Sequence, residues 1–443
     1  MRLVASFESL VQSLEGAFTA PTFRNLMIVV SGWVFASRRT ITGMLVASGA
    51  HRSRRGQGRH YSTYHRVFSA ARWSLDRLGL LVFALIEPWV GDGRVLLSLD
   101  DTLSRKRGTK MFGTGMHHDP LASSRSVAVM SWGHSWVVVC VVVRLPFAPQ
   151  RWFSLPILFR LYLNKRSASR HGLHYRTRPD LAVELLNAVC EAHPQRRFHA
   201  VADSAYGGES VLGHLPDNCD LTSRLVLDAR LHALPSPPVP TPKGGRPRKR
   251  GLRLPNPAQM LATRGQRISI DIYGRRNERM RLVSATACVY KVPKRLLRIV
   301  AVDPLTGSRP QQAFFSTCPE DDGVSILLRY AARWSIEEMN QASKSHLGFE
   351  QPQGWTRKAV ERTAPCAMLL YTLIVLWFAD TGHRFFRLPR LPWYRGKRLP
   401  SFADMLQTLR RQSVHDWVSV QLPDKRMRRN VLPLVFSAAR MAA

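Results

Sequence analysis

Four residues carry the clearest chemical pattern in the chain: Tyr330, Arg333, Glu337 and Lys344. On a helix advancing about 100° per residue they fall within an arc of roughly 60°. Leu328, Ala332, Ile336 and Met339 form an apolar stripe on the far side of the same helix. One face then packs, while the other presents a carboxylate flanked by two cations and a phenol. A solvated face with an i,i+4 Arg333–Glu337 pair is the plain alternative. Two upstream segments add weight to the first reading. LSLDDT places Asp100 and Asp101 at the end of an apolar run, and AVADSAYGG places Asp203 at the end of another, before a glycine turn. One such aspartate is commonly a turn or cap residue. Two strand ends of this kind in a chain with only 30 acidic residues mean more, because a carboxylate embedded in apolar sequence is costly without a cation. Carboxylates meeting from two strands and a helix make an oxygen-only site that favours Mg²⁺ or Mn²⁺ over zinc. The chemistry that fits is two-metal phosphoryl transfer, in which two ions about 3.5–4 Å apart clamp the attacking and leaving oxygens.

Charge points to the same substrate. Across 443 residues Lys and Arg number 65 against 30 Asp and Glu, a formal net charge of +35. A fold with that charge repels itself and calls for a polyanion, with nucleic acid ahead of an anionic membrane surface. Tyr330, Arg333 and Lys344 would hold flanking phosphates, a positional rather than base-reading role. A basic run with Arg246, Arg248 and Lys249 is like an extended hook entering a minor groove, or else is a soluble basic loop. The longest apolar run, Ala367–Ala379, is 13 residues and suits a core helix better than a membrane span. Glutamates interrupt the first residues where an export signal needs an apolar stretch. Six cysteines are scattered without a C-x-x-C pair, which offers neither a zinc ribbon nor a disulfide framework and suits a reducing, cytoplasmic setting. No phosphate-binding G-x-x-x-x-G-K-[ST] loop and no G-x-S-x-G elbow appears.

The elements that must position these residues follow from periodicity. Residues 1–90 read as helices with apolar residues at three- and four-residue spacing. VLLSLDD, SWVVVCVVVRLP, RWFSLPILFRLYL and RFHAVAD read as buried strands, with a helix over RPDLAVELLNAVCEAH. This is a mixed α/β sheet. A Pro- and Gly-rich basic linker covers 232–258, followed by a small antiparallel sheet. A single long helix is expected over 323–347, an amphipathic helix after Arg357, and a basic tail at the end. The organisation expected is 1–90 helical and DNA-binding, 91–225 the first part of the core, 226–316 linker and β-rich insertion, 317–380 the rest of the core, and 381–443 tail.

The spacing Y-x2-R-x3-E-x6-K, met without a gap by Tyr330, Arg333, Glu337 and Lys344, together with LSLDDT and ADSAYG upstream, resembles the insertion-sequence DDE transposases with the Tyr-Arg-Glu-Lys signature. The resemblance covers about residues 60–375. It implies a ribonuclease-H-like catalytic core with a β-rich insertion, behind helices that recognise terminal inverted repeats. It also implies an Mg²⁺-dependent enzyme, using two Mg²⁺ or Mn²⁺ ions, that nicks double-stranded DNA at element ends and joins them to target DNA as a homodimer. By match to the family's Asp-Thr step, the catalytic metal ligands become Asp101, Asp203 and Glu337. Some relatives hold a flipped base with a tryptophan of the insertion. Here no Trp lies between Trp152 and Trp334, leaving Tyr273 or Tyr290 for that part. A catalytically silent DNA-binding descendant and a nuclease of the same fold that never joins ends are the competing functions.

Overall fold

Periodic apolar residues build five helices at the start of the chain: α1 (Ala5–Gln12), α2 (Ala20–Phe35), α3 (Ile41–Ser48), α4 (Ser62–Ser69) and α5 (Leu75–Val90). Thr40 and Ser74 start α3 and α5 by accepting from the amides of Gly43 and Arg77. The computed structural model describes residues 2–51, 59–124, 126–235, 249–306, 309–388, 396–422, 424, 426–432 and 434. Arg246 and Arg248 therefore lie outside the described residues.

The sheet begins with β1 (Val95–Arg105), β2 (Gly115–His118), β3 (Met130–Leu145) and β4 (Ala148–Tyr162). Helices α6 (Lys165–Arg170) and α7 (Arg178–Ala192) follow, then β5 (Phe198–Ala202), α8 (Glu209–Leu212) and β6 (Cys219–Leu225). β1 is central: it pairs antiparallel with β3 on one side and parallel with β5 on the other. β3 pairs antiparallel with β4, and β5 parallel with β6, so the core order is β4-β3-β1-β5-β6.

The chain then forms β7 (Leu231–His232), β8 (Arg253–Leu254), α9 (Pro257–Met260), β9 (Gln266–Ile272), β10 (Arg275–Val289), β11 (Val292–Pro304) and β12 (Gln312–Ser316). These strands do not make the separate small sheet expected from sequence. β12 pairs antiparallel with β6, from Ala313–Leu225 to Ser316–Thr222, and joins insertion and core into one 12-stranded sheet. The physical reason is the edge. β6 carries buried Leu221, Thr222 and Ser223 and would otherwise leave a row of backbone groups unpaired.

After the sheet come α10 (Gly323–Ala332), α11 (Ser335–Leu347), α12 (Arg357–Asp380) and α13 (Phe402–Gln421). The expected single helix over 323–347 is thus two. At the joint the amides of Arg333, Trp334, Ile336 and Glu337 bond to the carbonyls three residues back, a tightened turn between two α-helical segments. Ala332, Ile336 and Met339 are buried as the stripe required, but Leu328 is exposed. α12 is not amphipathic: it is buried nearly all round, and 94% of its most apolar window lies inside the protein. By length and hydropathy it is the one described helix able to cross a membrane, and its burial is that of a core helix. The expected basic tail contains α13, which Ser401 and Asp404 start with reciprocal side-chain to backbone bonds.

Helices α5, α7, α11 and α12 cover the sheet, which is why β3 and β4 read as unbroken apolar runs. Contact is close: a Cβ added at Gly79 of α5 would stand 1.9 Å from the carbonyl oxygen of Ile157 in β4. The N-terminal helices share one continuous apolar cluster with α12 and the sheet. Trp33 donates to the Leu347 carbonyl at 2.8 Å, Trp377 donates to Ser6 at 2.9 Å, and Arg362 donates to the carbonyls of Phe68, Ala71 and Trp73.

Candidate active site

The site lies where β5 ends and β1 continues. Leu99 is opposite Ala202, the last residue of β5, so Asp100 and Asp101 lie beside the point where the chain leaves the sheet at Asp203. Crevices at the carboxyl ends of parallel strands are natural ligand sites. Alternation along β1 sends Leu97, Leu99 and Asp101 to one face and Ser98 and Asp100 to the other.

Helix α11 is fixed over the second face by a line of buried hydroxyls. Ser98 and Ser154 are 2.8 Å apart, Ser154 and Ser335 are 2.6 Å apart, and Ser335 donates to the Ala332 carbonyl at 2.8 Å. Small polar side chains let the helix approach the sheet while satisfying one another. The result brings Arg333 to Asp100, donating at 2.7 Å, with the Glu337 carboxylate 3.5 Å from the same nitrogen.

Asp101 has different partners. Arg178, the first residue of α7, lies 3.1 Å from its carboxylate, and Tyr206 donates to it at 3.0 Å. Arg178 also donates to Ser135 and stacks over the Tyr162 ring at 4.2 Å. Asp203 caps a short 3₁₀ turn (Ser204–Tyr206), accepting from the Ala205 amide at 2.8 Å, and its carbonyl accepts from Ser223.

These acids act on one another. Burial pushes the Asp100 carboxyl up to about 8; Arg333 opposes the rise, and Glu337, Asp101 and Asp203 add to it. Burial also raises Asp101, against the pull of Arg178 and Tyr206, with Asp203 adding to the rise. Carboxylates from β1, the end of β5 and α11 therefore share one electrostatic site. Their solvent access differs. The Asp100 and Arg333 side chains are 13% and 12% exposed, whereas Asp101 is 31% and Glu337 43% exposed. Asp100 is closed off by its arginine; Asp101, Asp203 and Glu337 reach solvent.

The remaining signature residues diverge. Tyr330 is buried against Phe314, ring centres 4.6 Å apart, and its phenol is raised by burial. The β9–β10 turn brings Tyr273 into the same cluster, with Arg309 4.2 Å above its ring. Lys344 sits further along α11, where burial lowers its pKa and Glu350 opposes the change. Lys249 is exposed beside β7 and β8 at the sheet edge, next to Arg250, which covers Tyr290 at 3.5 Å. Tyr273 thus adjoins the signature residues and Tyr290 does not. Among side chains passed over in sequence, Asp100, Arg178 and Tyr206 all touch the site. Strand alternation around Asp100 and the Tyr within ADSAYG were the available signals.

A family model described as DDE superfamily endonuclease matches residues 13–277, more than half of the chain. The chain belongs to the DDE superfamily of endonucleases. No curated protein matches it. The match spans both aspartate segments and stops before α11, so Glu337 and Lys344 lie beyond the matched range. Membership in this DDE superfamily makes the chain a nuclease-type protein with DNA as the implied substrate and divalent metal as the usual cofactor.

Proposed function

We propose that this DDE-superfamily chain is a transposase that cleaves the ends of a DNA element and transfers them into target DNA. One arrangement carries the reading: Asp100 and Asp101 on β1 lie beside the exit of β5 at Asp203, while Arg333, 2.7 Å from Asp100 and 3.5 Å from Glu337, brings in the acid of α11. The oxygen-only donor set and the cost of assembling buried carboxylates both fit divalent hard cations. Asp101, Asp203 and Glu337, the accessible acids, would hold two Mg²⁺ or Mn²⁺ ions. Bound there, the ions supply Lewis-acid stabilisation of the attacking and leaving oxygens. Asp100 and Arg333 hold α11 against β1 and so place Glu337. The Nε of Arg333 is buried without a partner, a donor left over for a phosphate oxygen.

The core strand order β4-β3-β1-β5-β6, in which β3 alone is antiparallel to β1, supports a ribonuclease-H-like core interrupted by the β-rich insertion. The N-terminal helices would read the terminal inverted repeats, and two chains would bridge both ends. Lys344 and Lys249, with Arg246 and Arg248, would contact phosphates, in keeping with the +35 net charge. A reducing cytoplasm suits the unpaired cysteines.

The test is Mg²⁺-dependent nicking of a DNA end by Asp203→Asn and Glu337→Gln variants. Loss of nicking in both, with DNA binding retained, is expected; undiminished nicking by either rejects the assignment. Supplying a pre-cut 3′-hydroxyl end separates the rivals: cleavage without joining marks a nuclease, and binding without cleavage marks a silent descendant.

A further inference from the structure

A second group of ligating side chains lies at the other end of β5. His199 of β5 is opposite Asp220 of β6 in the parallel register, and β12 continues to Cys318 beside them. One donor atom from each of His199, Asp220 and Cys318 lies within 4.8 Å of the other two. His199 and Cys318 are buried and Asp220 is half-buried. His199 and Asp203 are four residues apart on one extended segment, roughly 13 Å at about 3.3 Å per residue, so this group is separate from the strand-end carboxylates.

From this geometry we infer that His199, Asp220 and Cys318 form a Zn²⁺ site. The donors are an imidazole nitrogen, a thiol sulfur and a carboxylate oxygen, a set that selects zinc over magnesium. Two features of the surroundings favour a cation. The Nδ1 of His199 is buried without a hydrogen-bond partner, while its Nε2 is 2.8 Å from the Thr222 hydroxyl and 3.3 Å from Arg329. A cationic side chain already occupies the mouth: Arg94 donates to the Cys318 sulfur at 3.2 Å and lies 3.6 Å from the Asp220 carboxylate. Arg94 is 37% exposed and can swing into solvent, whereas Arg329 has its own partner in Asp321 at 2.6 Å. Thr317 donates to Asp220 at 3.0 Å, an outer partner that fixes the carboxylate. Binding exchanges the thiol proton for the metal: Zn²⁺ and Cys–SH give Zn–S⁻ and H⁺, with no change of oxidation state. Three protein ligands leave one position for water. The ion would clip β5, β6 and the end of β12 together where core and insertion join.

Cobalt reports on the site. Full-length protein titrated with Co²⁺ is expected to develop a thiolate-to-cobalt charge-transfer band that saturates at one ion per chain and is bleached by Zn²⁺. Cys318→Ser should lose the band and His199→Gln should weaken cobalt binding at least tenfold, while Asp203→Asn keeps both, because it touches only the other site. No charge-transfer band in the wild type, or one that survives Cys318→Ser, overturns the proposal; the latter would assign the sulfur to Cys190 or Cys219. Arg94→Ala keeps the test open should Cys318→Ser fail to fold. It removes the competing cation and tightens cobalt binding; unchanged or weaker binding counts against the site.

Discussion

Arg333 donates to Asp100 at 2.7 Å and stands 3.5 Å from Glu337, so one guanidinium ties β1 to the helix that carries Glu337. Both members of the Asp100 pair are largely buried, and above about pH 8, where Asp100 is ionised, removing the arginine leaves an uncompensated charge. Arg333→Ala is expected to lower the unfolding free energy by about 3 kcal/mol, measured by urea denaturation at pH 9 without metal. Mg²⁺ should restore part of the loss by neutralising the acids in place of the arginine. A variant as stable as the wild type in metal-free buffer would show that the pair does not hold α11.

The neighbouring aspartates should separate in function. Asp101→Asn removes an accessible carboxylate, and DNA nicking is expected to fall by more than the roughly 10–100-fold that loss of an outer partner brings. Asp100→Asn removes the anchor of Arg333, so its nicking defect should stay within that range and be accompanied by a lower melting temperature. Steady-state nicking and thermal melting on both variants decide the matter. The reverse ranking would move the first ligand role to Asp100.

How far the site was legible in sequence can be read from these two residues. Apolar runs meeting aspartate marked the right segments, because an embedded acid is costly and therefore conspicuous, but β1 runs on to Arg105, so Asp100 and Asp101 lie within it and only Asp203 follows a strand end. Periodicity also recovered the N-terminal helices and the core strands. It could not show that Asp100 and Asp101 face opposite sides with different arginines, since Arg178 is 77 residues away along the chain and meets Asp101 only after β3, β4 and α7 are packed. The break between α10 and α11 escaped because neither Gly nor Pro marks it; three-back hydrogen bonds tighten it instead. The His199–Asp220–Cys318 group has no motif spacing at all, being assembled by strand pairing across β5, β6 and β12.

Proton release offers a pH test of the carboxylate cluster. With Asp100 raised to about 8, the metal-free site retains a proton at pH 7 and has lost it by pH 9. A cation favours the charged acids, so Mg²⁺ binding at pH 7 should expel that proton, and binding at pH 9 should expel none. Calorimetric titrations in two buffers of different ionisation enthalpy measure this directly: apparent enthalpies should differ at pH 7 and coincide at pH 9. Identical enthalpies at both values would show that the acids do not share a proton.

The five N-terminal helices should prove inseparable from the core. Phe7, Val29, Trp33, Val34, Val82, Phe83 and Ile86 are each at most 1% exposed and belong to the cluster that surrounds α12. At about 1.5–3 kcal/mol for each such side chain, their removal forfeits roughly 10–20 kcal/mol of burial. A typical domain has about 5–15 kcal/mol of net stability. Residues 91–443 expressed alone are therefore expected in the insoluble fraction, with co-expression of residues 1–90 restoring solubility. A soluble, cooperatively melting 91–443 fragment would show that the helices form an independent unit. Repeat recognition by these helices would then be tested on the isolated 1–90 segment; if they fold only with the core, gel shifts must use the whole chain, with substitutions at exposed helix positions.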